Sequence, residues 1–200
     1  MVQNESKLTA GLAIASVFFG FAALAQVGPT NVNLPNFHQV SAQLYRGGQP
    51  TQFGIEFLAS QGIKTIVNLR AADEDSRAEQ WWVEQAGMRY LSVPMCGRGR
   101  PTEAQVQAVT SFINAPENQP VFLHCKRGKD RTGTIVACYR VSRDHWTSQR
   151  AIQEARKLGM RWTQFGMKNY IRDYYRRQFP DNVARHTPAK LQALIAPHYR

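Results

Sequence analysis

Apolar and polar positions change period several times along the chain, and each change predicts an element. Residues 44–46 (Leu-Tyr-Arg) form a short strand that Gly47 and Gly48 end. Pro50 and Thr51 open a helix whose apolar side carries Phe53, Phe57 and Leu58, and Gly62 stops it. β-Branched residues at 65–69 make a strand core. An acidic loop over 71–75 follows, then a helix over 77–85 carrying Trp81 and Trp82, then a strand over 90–93. Thr102, with Glu103 and Gln105 behind it, starts a helix through 112. The apolar run 121–123 is a buried strand. Beyond Arg131 the period is helical, over 132–143, 148–158 and 165–179, and Thr187 and Pro188 open one more short helix through 194. Strands alternating with helices predict an α/β fold. Its parallel-rich central sheet has four to five strands flanked by helices, and its C-terminal half is helical.

The first 25 residues read as an address rather than as part of that fold. No residue from 8 to 25 is charged, Lys7 precedes the stretch, and Ala23-Leu24-Ala25 supplies a small-x-small cleavage pattern. This predicts a secretory signal cleaved after Ala25, a mature chain starting at Gln26, and a periplasmic or secreted protein. The alternative is an uncleaved membrane anchor, for which the stretch is short, since a span takes about 20 apolar residues. Residues 26–36, rich in Pro, Asn and Gly, read as a linker. The expected organisation is a signal peptide at 1–25, a linker at 26–36, one main domain at 37–180 and a basic tail with a short helix at 181–200.

Composition narrows the function classes. The 200 residues are 43% hydrophobic and 20% charged, which excludes wholesale disorder, a collagen-like fibre and a polytopic membrane protein. Three cysteines, scattered at 96, 125 and 138, make neither a disulfide framework nor a zinc site. The net charge of +11 calls for an anionic partner or substrate. From residue 140 onward there are thirteen Lys or Arg against four Asp or Glu. Arg143, Arg150, Arg156, Arg172 and Arg176 recur there among apolar residues at helical intervals, which reads as the solvated faces of helices. With no arginine-rich run and no groove-reading motif, no nucleic-acid partner is expected. Membrane contact is expected only through the export segment or an anionic lipid substrate.

The chemistry concentrates in residues 124–133, His-Cys-Lys-Arg-Gly-Lys-Asp-Arg-Thr-Gly, between the buried strand and a helix. Cys125 stands at the strand end, where a loop of Lys126, Arg127, Gly128 and Lys129 can turn its backbone N–H groups around an anion. Gly128 and Gly133 supply the conformational freedom and close approach such a loop needs. The helix starting near Arg131 and Thr132 aims its positive end into the same concavity. That field lowers a thiol's pKa and makes Cys125 a thiolate. Arg131 offers a planar fork for phosphoryl oxygens, and Thr132 can hydrogen-bond the sulfur. A nucleophile, oxyanion donors and a cation thus fall within eight residues, the set needed to move a phosphoryl group onto sulfur. A Walker loop is excluded, because Asp130 follows Lys129 where Ser or Thr is required.

The segment HCKRGKDRTG resembles the signature of cysteine-dependent protein tyrosine and dual-specificity phosphatases. Its HCKRGK portion is most similar to the plant and fungal atypical dual-specificity group, which includes inositol pyrophosphate phosphatases. Its KDRTG portion resembles bacterial phosphatases acting on phosphotyrosine and phosphoinositides. The order LYRGGQP, TIVNLR, VPM and PT-E also resembles small bacterial members, and the likeness covers about residues 37–180. The resemblance implies that Cys125 becomes phosphocysteine, that Arg131 binds the phosphate, and that no metal or organic cofactor is needed. It also marks a departure. Such enzymes carry an Asp general acid on the loop corresponding to 95–101, and here that loop reads MCGRGRP, with no carboxylate. The substitutes are Asp130, placed as in myotubularin-like lipid phosphatases, the trio Asp73, Glu74 and Asp75, and Glu103.

Arg98 and Arg100, with Lys126, Arg127 and Lys129, predict a taste for substrates with several phosphates. Cys138 reads as core. Cys96, on the loop expected to cover the site, is a candidate partner for a reversible disulfide with Cys125. His124 is expected to orient the loop backbone. The expected function is an exported phosphatase acting through phosphocysteine, on phosphotyrosine or phosphoserine proteins or on phosphoinositides and inositol phosphates. Its rival is a catalytically weak module that binds phosphorylated partners.

Overall fold

Strand residues alternate between two faces, so the central strands here feed two separate cores. In the computed structural model, which describes residues 33–181, the strands are β1 (His38–Gln39), β2 (Leu44–Gly47), β3 (Thr65–Asn68), β4 (Arg89–Ser92) and β5 (Val121–His124). They form one sheet in the order β1-β2-β5-β3-β4. β1 pairs antiparallel with β2, and the other neighbours are parallel. Ile66 and Phe122 face a core closed by Ile55, Leu58 and Val83, from α1 (Gln52–Ser60) and α2 (Glu74–Gln85). Val67, Val121 and Leu123 face the larger core. This is closed by α3 (Glu103–Asn114), α4 (Asp130–Asp144), α5 (Ser148–Lys157) and α6 (Phe165–Gln178). The α/β reading, the parallel-rich sheet and the helical C-terminal half all stand.

Several boundaries differ from the pattern for local physical reasons. The acidic stretch after β3 is the start of α2: Asp73 caps the helix by accepting from the Ser76 amide at 2.9 Å, and Glu74 and Asp75 fill its first turn. Carboxylates are favoured there by the positive end of the helix dipole. Phe53 does not join the apolar side of α1. It is 70% exposed, and the buried face is Gly54, Ile55 and Leu58, because Gly54 lies against the backbone of Asn33 and the side chain of Leu34. β1 and a 3₁₀ turn at Pro116–Asn118 are too short to leave a period. The arginines at 143, 150, 156, 172 and 176 are exposed, as helix faces in solvent should be.

The signal peptide, most of the linker at 26–36 and nearly all of the tail at 181–200, with its short helix, lie outside the described residues. Among the described residues no helix is long and apolar enough to cross a membrane.

Phe122 sits at the centre of the sheet, fully buried, with its ring stacked on Phe37 and on His124. Phe122→Ala is expected to cost about 3–5 kcal/mol, read as a lowered midpoint in urea unfolding.

Candidate active site

β5 is the middle strand, and the loop after it emerges at the carboxyl ends of three parallel strands. Register sets His124 beside Gly47 on β2 and Asn68 on β3. The loop 125–129 therefore opens with neighbours on both sides, where α/β sheets place their ligands. Gly128 has φ +67°, and a Cβ there would collide with the backbone of Gly47 and Gly48. Only glycine fits. α4, 15 residues long, starts at Asp130 with Lys129 as its cap residue, so its unpaired N–H groups and positive dipole end border the loop.

Cys125 is buried, 3% exposed. Burial pushes its thiol pKa up, but this is outweighed by hydrogen bonds from the Thr132 hydroxyl and amide, the charge of Arg131 and the Arg127 amide, and the net displacement is downward. The Thr132 hydroxyl is buried and meets no oxygen or nitrogen acceptor, which leaves it to the sulfur. Arg131 is held by its Nη1, which donates to the Leu69 carbonyl at 3.0 Å and the Met95 carbonyl at 3.3 Å. The strand end and the 95–101 loop thus fix the guanidinium beside the sulfur. Lys126, Arg127 and Lys129 project outward and are exposed, while Thr132 and Gly133 are buried. Gly133 lets α4 approach α5, since a Cβ there would stand 3.3 Å from Ala155 and Met160.

The carboxylates expected as general acids are all engaged. Asp130 Oδ1 accepts from the Arg161 amide at 2.9 Å and Oδ2 from Arg161 Nε at 2.9 Å, so both its oxygens are taken by the segment that follows α5. Asp73 is held below the usual carboxylate range, first by its hydrogen bonds from the Ser76 amide and hydroxyl and then by Arg70, 2.7 Å away. Asp75 pairs with the same Arg70 nitrogen at 3.0 Å. Glu74 is exposed at the helix start, 4.0 Å from Arg77. Glu103 pairs with Arg177 at 2.7 Å. The basic pair on the 95–101 loop divides: Arg100 is drawn to Asp173 at 2.7 Å and stacks over Tyr170, whereas Arg98 lines a cavity of about 530 Å³ together with Arg161, Gln164 and Phe165.

All three cysteines are free: Cys96 is exposed, and Cys138 is buried with its thiol pushed up by burial. Among the described residues no cluster of three or more His, Cys, Asp or Glu is placed to hold a metal ion.

Four residues that the sequence reading left without a role belong to the site. Arg161 is the partner of Asp130 and the second cation of the cavity. Arg46, fully buried on β2, donates from Nη2 to the Gly128 carbonyl at 2.6 Å, and Asn36 Nδ2 donates to the same oxygen at 2.8 Å. Glu79 on α2 is fully buried beneath the site. Its Oε2 accepts from Asn68 Nδ2 at 2.6 Å and from the Tyr90 hydroxyl at 3.1 Å. Its Oε1 lies 2.8 Å from His124 Nε2, outside good hydrogen-bond alignment. His124 is therefore packed between Phe122 and Glu79, which fixes the residue immediately before the sulfur. One signal for Glu79 was available: with Ser76 and Val83 it occupies the inward stripe of α2, where a carboxylate is out of place.

Comparison with known proteins agrees with this geometry. The family described as "DSP-PTPase phosphatase fused to NAD+ Kinase" matches residues 19–173. The dual specificity protein phosphatase TpbA of Pseudomonas aeruginosa is 33% identical over 152 residues, which is 76% of this chain and 63% of TpbA. This chain thus spans less than two thirds of that relative's length. The inositol diphosphatase DSP5 of Arabidopsis thaliana is 28% identical over 152 residues, 70% of each chain. A crystal structure of a P. aeruginosa TpbA variant in complex with pTyr superposes with a TM-score of 0.61 at 27% identity, covering 72% of this chain and 90% of that one. On the matched span and the shared fold, this chain belongs to the dual-specificity and protein tyrosine phosphatase family of cysteine-dependent phosphatases.

Proposed function

We propose that this protein is a phosphatase that works through a phosphocysteine on Cys125 and takes small, phosphate-rich substrates. The observation that carries this reading is a thiol that is almost wholly buried and yet displaced toward its ionised form by hydrogen bonds and Arg131. Burial alone would have done the reverse. The thiolate attacks phosphorus as the phosphorus–oxygen bond to the leaving group breaks, and the bonding pair departs with that oxygen. Water then attacks the phosphocysteine, releasing orthophosphate and restoring the thiolate, while the water's proton passes to phosphate or solvent. Loop amides, the α4 N-terminus and Arg131 meet the charge that builds on the transferring oxygens.

The general acid bears on the substrate. An alkoxide or phenoxide leaves far more easily with a proton supplied, whereas a phosphate leaving from a diphosphate is already a stable anion. The 95–101 loop has no carboxylate, and Asp130 has both oxygens on Arg161. Arg98 and Arg161 line the cavity that this loop borders. These features favour an inositol-phosphate-type substrate in which one phosphate is cleaved and others are gripped, in line with the inositol diphosphatase activity for which DSP5 is named. A phosphotyrosine protein is the second reading, supported by the pTyr complex of TpbA. Asp130 then serves to anchor Arg161 rather than to donate a proton. Export stays part of the proposal, on the uncharged stretch 8–25 and the small residues at 23–25.

Turnover of p-nitrophenyl phosphate is expected to persist in EDTA and to vanish in Cys125→Ser, with inositol diphosphates outrunning phosphotyrosine peptides in a side-by-side panel. Persistence of the rate in Cys125→Ser would defeat the reading, and binding of phosphorylated ligands with no turnover in the wild type would favour a recruiting module. An unperturbed thiol, titrating at about 8.5, would already lose activity below that pH. The downward displacement of Cys125 means that the acid-side fall of kcat/KM is expected at a lower pH than for such an unperturbed thiol. Asp130→Asn is expected to leave the basic limb of kcat in place and to weaken binding of multiply phosphorylated substrates. Loss of that limb would make Asp130 the acid. N-terminal sequencing of the exported protein is expected to begin at Gln26, and an intact Met1 in the membrane fraction would contradict export with cleavage.

A further inference from the structure

The phosphate loop rests on a buried cation that none of the catalytic steps uses. Arg46 lies on β2, adjacent to the loop-bearing strand, with its Cα paired to that of Leu123. It is 0% exposed, the largest of the fully buried side chains, and it has no carboxylate partner among the described residues. Nη2 donates to the Gly128 carbonyl at 2.6 Å, while Nε and Nη1 meet no protein acceptor. Leaving an arginine this way is costly unless some anion offsets it.

The groups that face Arg46 narrow the choice of anion. They are Glu154 from α5, Arg140 from α4, His38 from β1 and Cys125 from the loop. Glu154 is gripped from Arg140 by Nε at 3.2 and 3.3 Å and by Nη2 at 2.9 Å, and Asp144 completes that cluster at 2.7 Å. Arg140 thus answers two carboxylates, and Glu154 remains the foremost negative charge acting on Arg46. Burial draws the Arg46 pKa down to about 10, which leaves the side chain cationic at neutral pH, and the sulfur of Cys125 is among the charges that favour that form. Glu154 and, after it, the sulfur of Cys125 are the negative charges that offset Arg46.

The hydrogen bond has a second consequence. A trans peptide is planar, with its C=O and N–H on opposite sides. Arg46 and Asn36 pull the Gly128 oxygen outward, at 2.6 and 2.8 Å, so the amide of Lys129 is turned the other way, toward the concavity. Gly128 can hold this pose because of its φ of +67° and its tight seat on Gly47 and Gly48. Asn36 adds a brace by also donating to the Leu158 carbonyl at 3.0 Å.

We propose that Arg46 is a positioning residue of the phosphate loop, which from beneath fixes the Gly128–Lys129 peptide with its N–H toward the phosphate and adds positive charge on the side of the Cys125 sulfur. This rests on the reading of Cys125 as a thiolate nucleophile, but its test can be read without turnover.

The rate of Cys125 alkylation by iodoacetamide is followed against pH in the full chain, in Arg46→Met, Arg46→Lys and Asn36→Ala, each checked for native circular dichroism and cooperative melting. In Arg46→Met the titration of the thiol is expected to move up by about one pH unit or more, and kcat for p-nitrophenyl phosphate to fall by about a hundredfold. Arg46→Lys keeps the charge but lacks the planar reach, so the thiol titration returns toward wild type while kcat stays at least about tenfold low. Asn36→Ala keeps the cation and loses one of the two braces, so kcat falls with no movement of the thiol titration. A folded Arg46→Met with wild-type alkylation profile and kcat overturns the proposal. If Arg46→Met does not fold, Arg46→Lys decides, and wild-type kcat in that variant overturns it. A wild-type thiol that titrates in the ordinary range defeats the underlying reading of Cys125 instead.

Discussion

A sulfur atom almost sealed from water should resist ionisation, and the groups around Cys125 are arranged to offset that cost. The energy of burial opposes the charge, and the opposing set is local: the Thr132 hydroxyl and amide, the Arg131 guanidinium and the Arg127 amide. None of these works unless the loop keeps its curve. That curve depends on a glycine in the left-handed region seated on the Gly47–Gly48 backbone, and on two side chains holding the Gly128 carbonyl away from the site. The chemistry is thus a property of backbone geometry before it is a property of any single side chain.

The sheet supplies that geometry. Placing β5 between β2 and β3 brings Gly47 and Asn68 alongside His124, so one strand contributes the glycine bed and Arg46, and the other contributes Asn68 and the Leu69 carbonyl that anchors Arg131. A slip of one residue would turn Arg46 to the opposite face and empty the space under the loop. α2 adds Glu79 from the other side, holding Asn68 and standing against His124. Stability and function are coupled here because the same buried polar groups serve both, and a partly satisfied network would be worse than none.

What could be read from the chain followed from how locally each feature is encoded. The strand–loop–helix with Cys125 and Arg131 was legible, because a contiguous run of ten residues carries all its chemistry. The sheet and helix order was legible for the same reason, element by element. Asp130 was not: its fate is set by Arg161, 31 positions later, and no period or spacing reports that contact. Arg46 looks like an ordinary charge in a strand and becomes meaningful only once the fold shows it buried, whereas Glu79 betrays itself only by falling on the inward stripe of its helix. Asp73 was visible as acidic yet taken for loop, since the alanines before it give no helical period and only its bond from Ser76 reveals the cap. The loop arginines at 98 and 100 separated because Asp173, on the far helix α6, claims one of them.

The most direct test is to catch the covalent intermediate. Protein mixed with excess substrate, quenched in acid within the first turnovers and analysed by intact and peptide mass, is expected to carry one added phosphoryl group on the peptide containing Cys125. Hydrolysis proceeding at full rate with that peptide unmodified at every quench time, or with the phosphoryl group on another residue, would contradict the account.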